Sequence, residues 1–317
     1  LQHARRGGLE QGGKSAENAG MGYRIGIDLG GTKTEIVALA PDGAIAYRQR
    51  AATPPLYEDA LAMLAGLIAA AEAEIGATAS IGIGIPGTMS PRTGLMRTPN
   101  TPCLHGRPFD QDFANFLGRD IRIANDANCF ALSEAADGAG AGAALVFGVI
   151  LGTGCGGGLV VNGRVVEGRN GIAGEWGHNP LPWPREDDLP LRPCPCGRAG
   201  CIERYVAGPA LAFEADGAGA RDASQLLTRA QAGDERAIRA FAAHAERLAR
   251  ALASITNVFD PDVIVLGGGL SNLAHLYVEL PRLMEPYVFS DSFKANIVKN
   301  MHGDSSGVRG AAWLWPE

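Results

Sequence analysis

No apolar run in this sequence approaches the ~20 residues that span a bilayer. The longest, Ala143 to Leu151, has the length of a buried strand, so no membrane association is expected. A basic stripe is also missing: 28 Lys and Arg stand against 34 Asp and Glu, a net charge of -6. Neither a nucleic acid nor an anionic surface is therefore an expected partner, and any phosphate must be held locally. Residues 1–21 are polar and glycine-rich and lack the apolar centre of a secretory signal. They are expected to be a disordered or vector-derived extension, and the protein cytoplasmic. Six cysteines in such a chain point to metal or catalysis before disulfides.

What the sequence has in excess is glycine, 44 of 317 residues, clustered in turns as expected where backbone packs against a ligand. From Arg24 the pattern is strand, Gly30-Gly31-Thr32-Lys33, strand, then the turn Pro41-Asp42-Gly43 and a third strand over 44–50. A helical spacing over 58–74 and a buried strand over 81–85 follow. The same grammar returns with the strand 144–151, the turn Gly152 to Gly158, and the hairpin Asn162-Gly163, which suggests an internal duplication. Later come a mostly helical stretch, 224–259, an apolar strand, 263–266, and Gly267-Gly268-Gly269.

Gly30 to Lys33 offers backbone N–H groups, a hydroxyl and an ammonium at one turn, which suits a polyphosphate without the Walker A spacing. Taken alone, a Gly-Gly hairpin turn is the commoner explanation; a second such loop at Gly152 to Gly158 makes coincidence less attractive. Gly267 and Gly268 would let a flat adenine lie on the backbone, or would let a helix pack close to the strand; both readings stand equally. Asp126 falls where a strand ends and a helix begins, the place where α/β sheets bind ligands, although an Asp there is also an ordinary helix cap. Cys194, Cys196 and Cys201 with His178 make a Cys₃His zinc set. Glu175 and Glu203 flank that knot as plausible polyol ligands.

Asp28-Leu29-Gly30-Gly31-Thr32-Lys33, Ala124 to Asn128, Gly152 to Gly158, Gly174 to His178 and Cys194-x-Cys196-Gly197-x-x-Gly200-Cys201-x-Glu203 together resemble the ROK sugar kinases, from Arg24 to Trp315. The resemblance implies an α/β protein with the duplicated ribonuclease-H-like, actin-like ATPase fold, two domains around an active-site cleft. Its first domain would span 22–123 and be completed by a C-terminal helix, 305–317; the larger one, 124–304, would carry the zinc loop. ATP would contact Gly26, Asp28, Gly30, Gly31, Thr32, Lys33, Gly152, Thr153, Gly154, Gly156, Gly157, Gly267 and Gly268, with Mg2+ held by Asp28 through water.

The same resemblance makes Asp126 the catalytic base and sets Asn100, Asn125, Asp126, Glu175, His178 and Glu203 against sugar hydroxyls. His178 would bind structural Zn2+ through one ring nitrogen and the sugar through the other. With a reference pKa of ~3.9, Asp126 would orient the alcohol and take its proton late. Gly174 to Trp183 and His302 to Gly310 resemble the bacterial fructokinase or manno(fructo)kinase branch, which implies D-fructose as the hexose. N-acetylglucosamine kinases share most of the same landmarks and are the alternative. A sugar-sensing regulator is disfavoured, because only about twenty polar residues precede Met21, without the helices of a DNA-binding domain. A homodimer is common in the family and is expected here.

Overall fold

The computed structural model describes residues 22–98 and 100–315. The expected extension, Pro99 and the last two residues of the segment 305–317 expected as a helix lie outside the described residues.

Strands β1 (Arg24–Leu29), β2 (Lys33–Leu39) and β3 (Ile45–Ala52) form the antiparallel meander that the turn residues require. Helix α1 (Tyr57–Ile75) ends at Gly76, whose φ of 65° closes the last turn. Strand β4 (Ser80–Ile85) returns parallel to β1. A short hairpin, β5 (Thr88–Met89) and β6 (Met96–Arg97), and helix α2 (Phe109–Leu117) lead to β7 (Arg122–Asn125), which completes a sheet of order β3-β2-β1-β4-β7. Helix α3 (Asp126–Ala136) leaves β7 directly.

The second half repeats this. Strands β8 (Leu145–Leu151), β9 (Cys155–Val161) and β10 (Arg164–Val165) form an antiparallel meander. Helices α4 (Glu203–Val206), α5 (Gly208–Asp216), α6 (Leu226–Gln231) and α7 (Glu235–Phe259) precede β11 (Val263–Gly267). Helix α8 (His275–Met284), β12 (Ile297–Lys299) and α9 (Ser306–Ala312) complete the chain. The order β10-β9-β8-β11-β12, with β11 parallel to both its neighbours, reproduces that of the first sheet. The duplication expected from the glycine turns is thus a duplication of topology.

The two sheets exchange helices. Helix α3, which follows the first sheet, packs on β8 and β9, whereas α9, which follows the second, packs on β1, β2 and β4. The strand sequences explain how. In β1 and β4, Ile25, Ile27, Ile81, Ile83 and Ile85 alternate with Gly26, Gly82 and Gly84, so one face is bulky and the other almost bare. The isoleucines are all within 1% of complete burial, in one cluster with α1 residues Leu64 and Ile68 and α2 residues Phe109 and Phe113. Each such side chain contributes about 1.5–3 kcal/mol of burial.

The bare face receives α9: Gly26 pairs with Gly82 in register, and a β-carbon at Gly26 would lie 2.0 Å from Val308 O. The second sheet repeats the device, with Gly148 paired to Gly158 beneath Ala127 and Ala131 of α3. Much of the glycine excess therefore seats helices rather than ligands. Among the described residues, no helix is long and apolar enough to cross a membrane.

Helices α3 and α9 also touch each other, and a β-carbon at Gly310 would stand 1.6 Å from Cys129 O. Gly310→Ala must push the helices apart and is expected to cost about 3 kcal/mol or more. Gly66→Ala, in an open position on α1, is expected to stabilise by about 0.5–1 kcal/mol. Thermal unfolding of the pair checks this; a Gly310→Ala protein as stable as the parent would mean that the helices are not in contact.

Candidate active site

Strand β7 ends at Asn125 and α3 begins at Asp126. The cap is Asn125: its Oδ1 accepts the Ala127 N–H at 2.9 Å, and its Nδ2 donates to Gly87 O at 3.1 Å. Asn125, expected against sugar hydroxyls, thus engages both carboxamide atoms with backbone and shapes the turn. Asp126 is the first helical residue, and its Oδ1 accepts the same Ala127 N–H at 2.9 Å. Burial, reinforced by the Glu175 carboxylate and opposed by the Ala127 N–H, raises its pKa above the ordinary carboxylate value.

Asp28, near the end of β1, feels burial first, then the charges of Asp126 and Glu35, and is pushed up to about 6 while Lys33 pulls it down. Four carboxylates, Asp28, Glu35, Asp126 and Glu175, therefore share one electrostatic neighbourhood. A divalent cation or a developing positive charge is what such a cluster accommodates.

The first glycine turn carries Thr32 and Lys33 exposed, with Gly30 N–H donating to Lys33 O at 3.1 Å. A β-carbon at Gly31 would stand 1.9 Å from Asn100 O, so this turn and the loop bearing the exposed Asn100 lie backbone to backbone. Thr53, unremarked in the sequence, buttresses the turn: its hydroxyl donates to Gly30 O at 2.8 Å and its N–H to Thr32 O at 3.1 Å.

The second turn is shorter than the sequence suggests. It spans Gly152, the exposed Thr153 and Gly154, braced by Gly208 N–H on Gly152 O at 2.8 Å. Gly156 and Gly157 belong to β9, where they receive Trp176, whose indole N–H donates to Gly156 O at 2.9 Å. Gly26, expected at the cofactor, is buried under α9. Gly267 and Gly268 make close packing against Phe130 and Leu151, while Gly269 is the open position of the three. Gly267 thus has the close helix packing that is one of its two readings, whereas Gly268 is exposed and meets the backbone of strand residue Leu151.

On the facing wall Glu203 opens α4, and its Oε2 accepts the Cys155 N–H at 3.0 Å. Glu175 is exposed immediately before the short helical turn Trp176–His178. Thr88 of β5 donates its hydroxyl to Gly171 O at 3.2 Å, joining the first half to the loop that carries Glu175.

His178, Cys194, Cys196 and Cys201 place four ligand atoms within 4.8 Å of one another. Cys194 Sγ is 3.7 Å from His178 Nδ1, and Cys196 Sγ is 3.6 Å from Cys201 Sγ. Ligands about 2.0–2.3 Å from a tetrahedral zinc lie roughly 3.5–3.8 Å apart, so the set fits that ion. Nδ1 is then the nitrogen that faces the cluster.

The loop between His178 and Cys194 is held by a group that the sequence did not disclose. Asp188, 1% exposed, accepts from Arg247 Nε at 2.7 Å, Arg250 at 2.9 Å and the Arg185 N–H at 2.9 Å. Arg247 and Arg250 sit i, i+3 on the buried face of α7, an anomaly among alanines and leucines that could have flagged them.

Duplicated five-stranded sheets, exchanged helices and a cleft lined by two glycine turns and several carboxylates define an actin-like phosphotransferase. The comparisons with known proteins agree. Residues 24–317 match the ROK family. The N-acetyl-D-glucosamine kinase of Pectobacterium atrosepticum is 42% identical, over 91% of this chain and 97% of that protein; the enzyme of that name from Vibrio cholerae is 40% identical, over 91% and 98%. The ROK hexokinase structure from Thermus thermophilus superposes with a TM-score of 0.83 at 33% identity, covering 92% of this chain and 97% of that one. The chain belongs to the ROK family.

Two outcomes test the site. Cys196→Ser is expected to lower bound zinc below one atom per chain and to raise the sugar KM, with elemental analysis as the measurement; full zinc in an unimpaired variant would remove the metal from this loop. The second concerns Asp28. A folded-state value of about 6 against 3.8 unfolded means that its stabilising contribution is complete below 3.8 and is lost as pH rises through 6. Asp28→Asn is therefore expected to gain on the order of 1–3 kcal/mol over the parent at pH 7.5 and little at pH 4, read by denaturant unfolding.

Proposed function

We propose that this protein is an ATP-dependent kinase that transfers the γ-phosphoryl group to the primary hydroxyl of N-acetyl-D-glucosamine. The observation that carries the reading is the 40–42% identity, over nine-tenths of the chain, to enzymes of that name. D-fructose, to which two segments pointed, is the less supported acceptor. Those segments do not choose between the two sugars: the first carries Glu175 and His178, candidate ligands for the hydroxyls of either, and ends at Trp183, which packs on Tyr287 at 5.0 Å, while 302–309 is tied to the end of α3 by Glu134 and Asp137.

Asn100, Glu175, His178 Nε2 and Glu203 hold the sugar hydroxyls, and the backbone of Gly30 to Lys33 and Gly152 to Gly154 holds the nucleotide phosphates. Magnesium, where bound, neutralises phosphate charge, and Asp28 is the residue that would hold it through water. Asp126 accepts a hydrogen bond from the attacking hydroxyl and receives its proton as the new P–O bond forms and ADP leaves. Its raised pKa suits it to that late transfer.

Two measurements test this. In a coupled ADP assay kcat/KM for N-acetylglucosamine is expected to exceed that for fructose by about tenfold or more. A clear preference for fructose would reverse the assignment. Asp126→Asn is expected to lose ~10²- to 10⁴-fold in kcat with little change in either KM. A folded variant at near-parental rate would leave the carboxylate without a chemical role.

A further inference from the structure

Glu134 lies on α3 and is completely buried, yet its partners are donors rather than cations. Oε1 accepts the His302 N–H at 3.2 Å and the Ser306 hydroxyl at 2.6 Å; Oε2 accepts the Ala139 N–H at 3.0 Å and the Met301 N–H at 2.9 Å. Space for the carboxylate is left by Gly138, where a β-carbon would stand 2.4 Å from Oε2. A buried anion with four donors is held rigidly, since each donor would lose a charge-assisted bond by moving.

The position of this anchor matters more than its strength. Asp126 lies eight residues up the same helix, about 12 Å away. Ser306 is the first residue of α9, and the next, Gly307, faces Asp28: a β-carbon there would lie 3.8 Å from Asp28 Oδ2. One carboxylate therefore joins the helix that carries the proposed base to the helix that abuts the proposed magnesium acid.

We propose that Glu134 is a positioning residue for phosphoryl transfer, fixing the start of α9 against α3 and so holding Asp28 and Asp126 in register across the cleft. The inference rests on the roles proposed above for those two acids. The Glu134 side chain touches no reacting atom; it acts through two helices. A glutamine would not replace it, because an amide NH₂ would face donors in the place of one carboxylate oxygen.

Ser306→Ala removes only the link to α9 and leaves three donors on Glu134. Its kcat is expected to fall about tenfold and its half-saturating Mg2+ concentration to rise about fivefold, with the sugar KM within about twofold, because a shift of a fraction of an ångström at the acids suffices. His302→Ala keeps its backbone N–H on Glu134 while cutting the ring's 2.8 Å contact to Asp137, and should retain the parental Mg2+ dependence. Parental kcat and Mg2+ dependence in Ser306→Ala, or the same losses in His302→Ala, would overturn the proposal.

Hydrogen exchange on the parental enzyme needs no variant. The Ala139, Met301 and His302 amides are expected to slow about tenfold or more with Mg-AMPPNP, and unchanged protection would sink the idea. If Asp126→Asn proves active while these amides still respond to nucleotide, the base assignment fails and the link between the helices stands.

Discussion

The structure depends on two helix seats floored with glycine. Gly26 and Gly82 in one sheet, and Gly148 and Gly158 in the other, are cross-strand neighbours, so each pair removes two side chains from the same patch of sheet. A helix set there approaches backbone to backbone, and the seats are filled crosswise: α9 from the second half lies on the first sheet and α3 from the first half on the second. The exchange places the beginning of α3, with Asp126, and the beginning of α9, beside Asp28, at the same cleft. A bulkier residue at any of these glycines would change the height of a helix and with it the distance between two acids.

The wall that carries Glu175, His178 and Glu203 is organised differently, because its loops have little regular structure to hold them. Two devices share the task. The Cys₃His set gathers residues 178–201 around one point, and the Asp188 cluster pins the intervening proline-rich segment to α7. Arg192 extends that cluster, lying 4.6 Å over Tyr205 and 4.8 Å over Phe213 while pairing with Glu214 at 2.5 Å. A buried ion cluster of this kind adds little net stability against an apolar core, but it defines one geometry, since its charges are satisfied in only one arrangement. The Cys₃His set and the charge cluster together thus hold the segments that carry His178 and Glu203.

Substrate choice is the point on which local resemblance and whole-chain similarity diverge. Segments from Gly174 to Trp183 and from His302 to Gly310 resemble fructokinases, yet the first contributes Glu175 and His178, candidate ligands for either sugar, and otherwise packs Trp183 on Tyr287, and the second is packed on α3. Residues that pack loops or helices are shared across a family whatever sugar it takes. The relatives matched over most of the chain carry the stronger information, and they are N-acetylglucosamine kinases.

From the sequence alone, the family was legible, because the glycine turns, the strand-to-helix acid and the clustered thiols are local motifs that together resemble the ROK kinases. The Cys₃His set was expected from its residue types and spacing, and its four ligand atoms do come together. The topology of the two sheets was legible in outline, from the repeated strand and turn grammar. Only the tertiary structure decided which glycines face helices, that Asn125 and not Asp126 caps α3, and that Gly157 lies under Trp176. It alone joined Glu134 to Ser306, and Asp188 to Arg247 and Arg250, across 172, 59 and 62 residues. Such contacts leave no periodic trace, since a buried carboxylate and its donors are specified by where the fold brings them and not by their spacing along the chain.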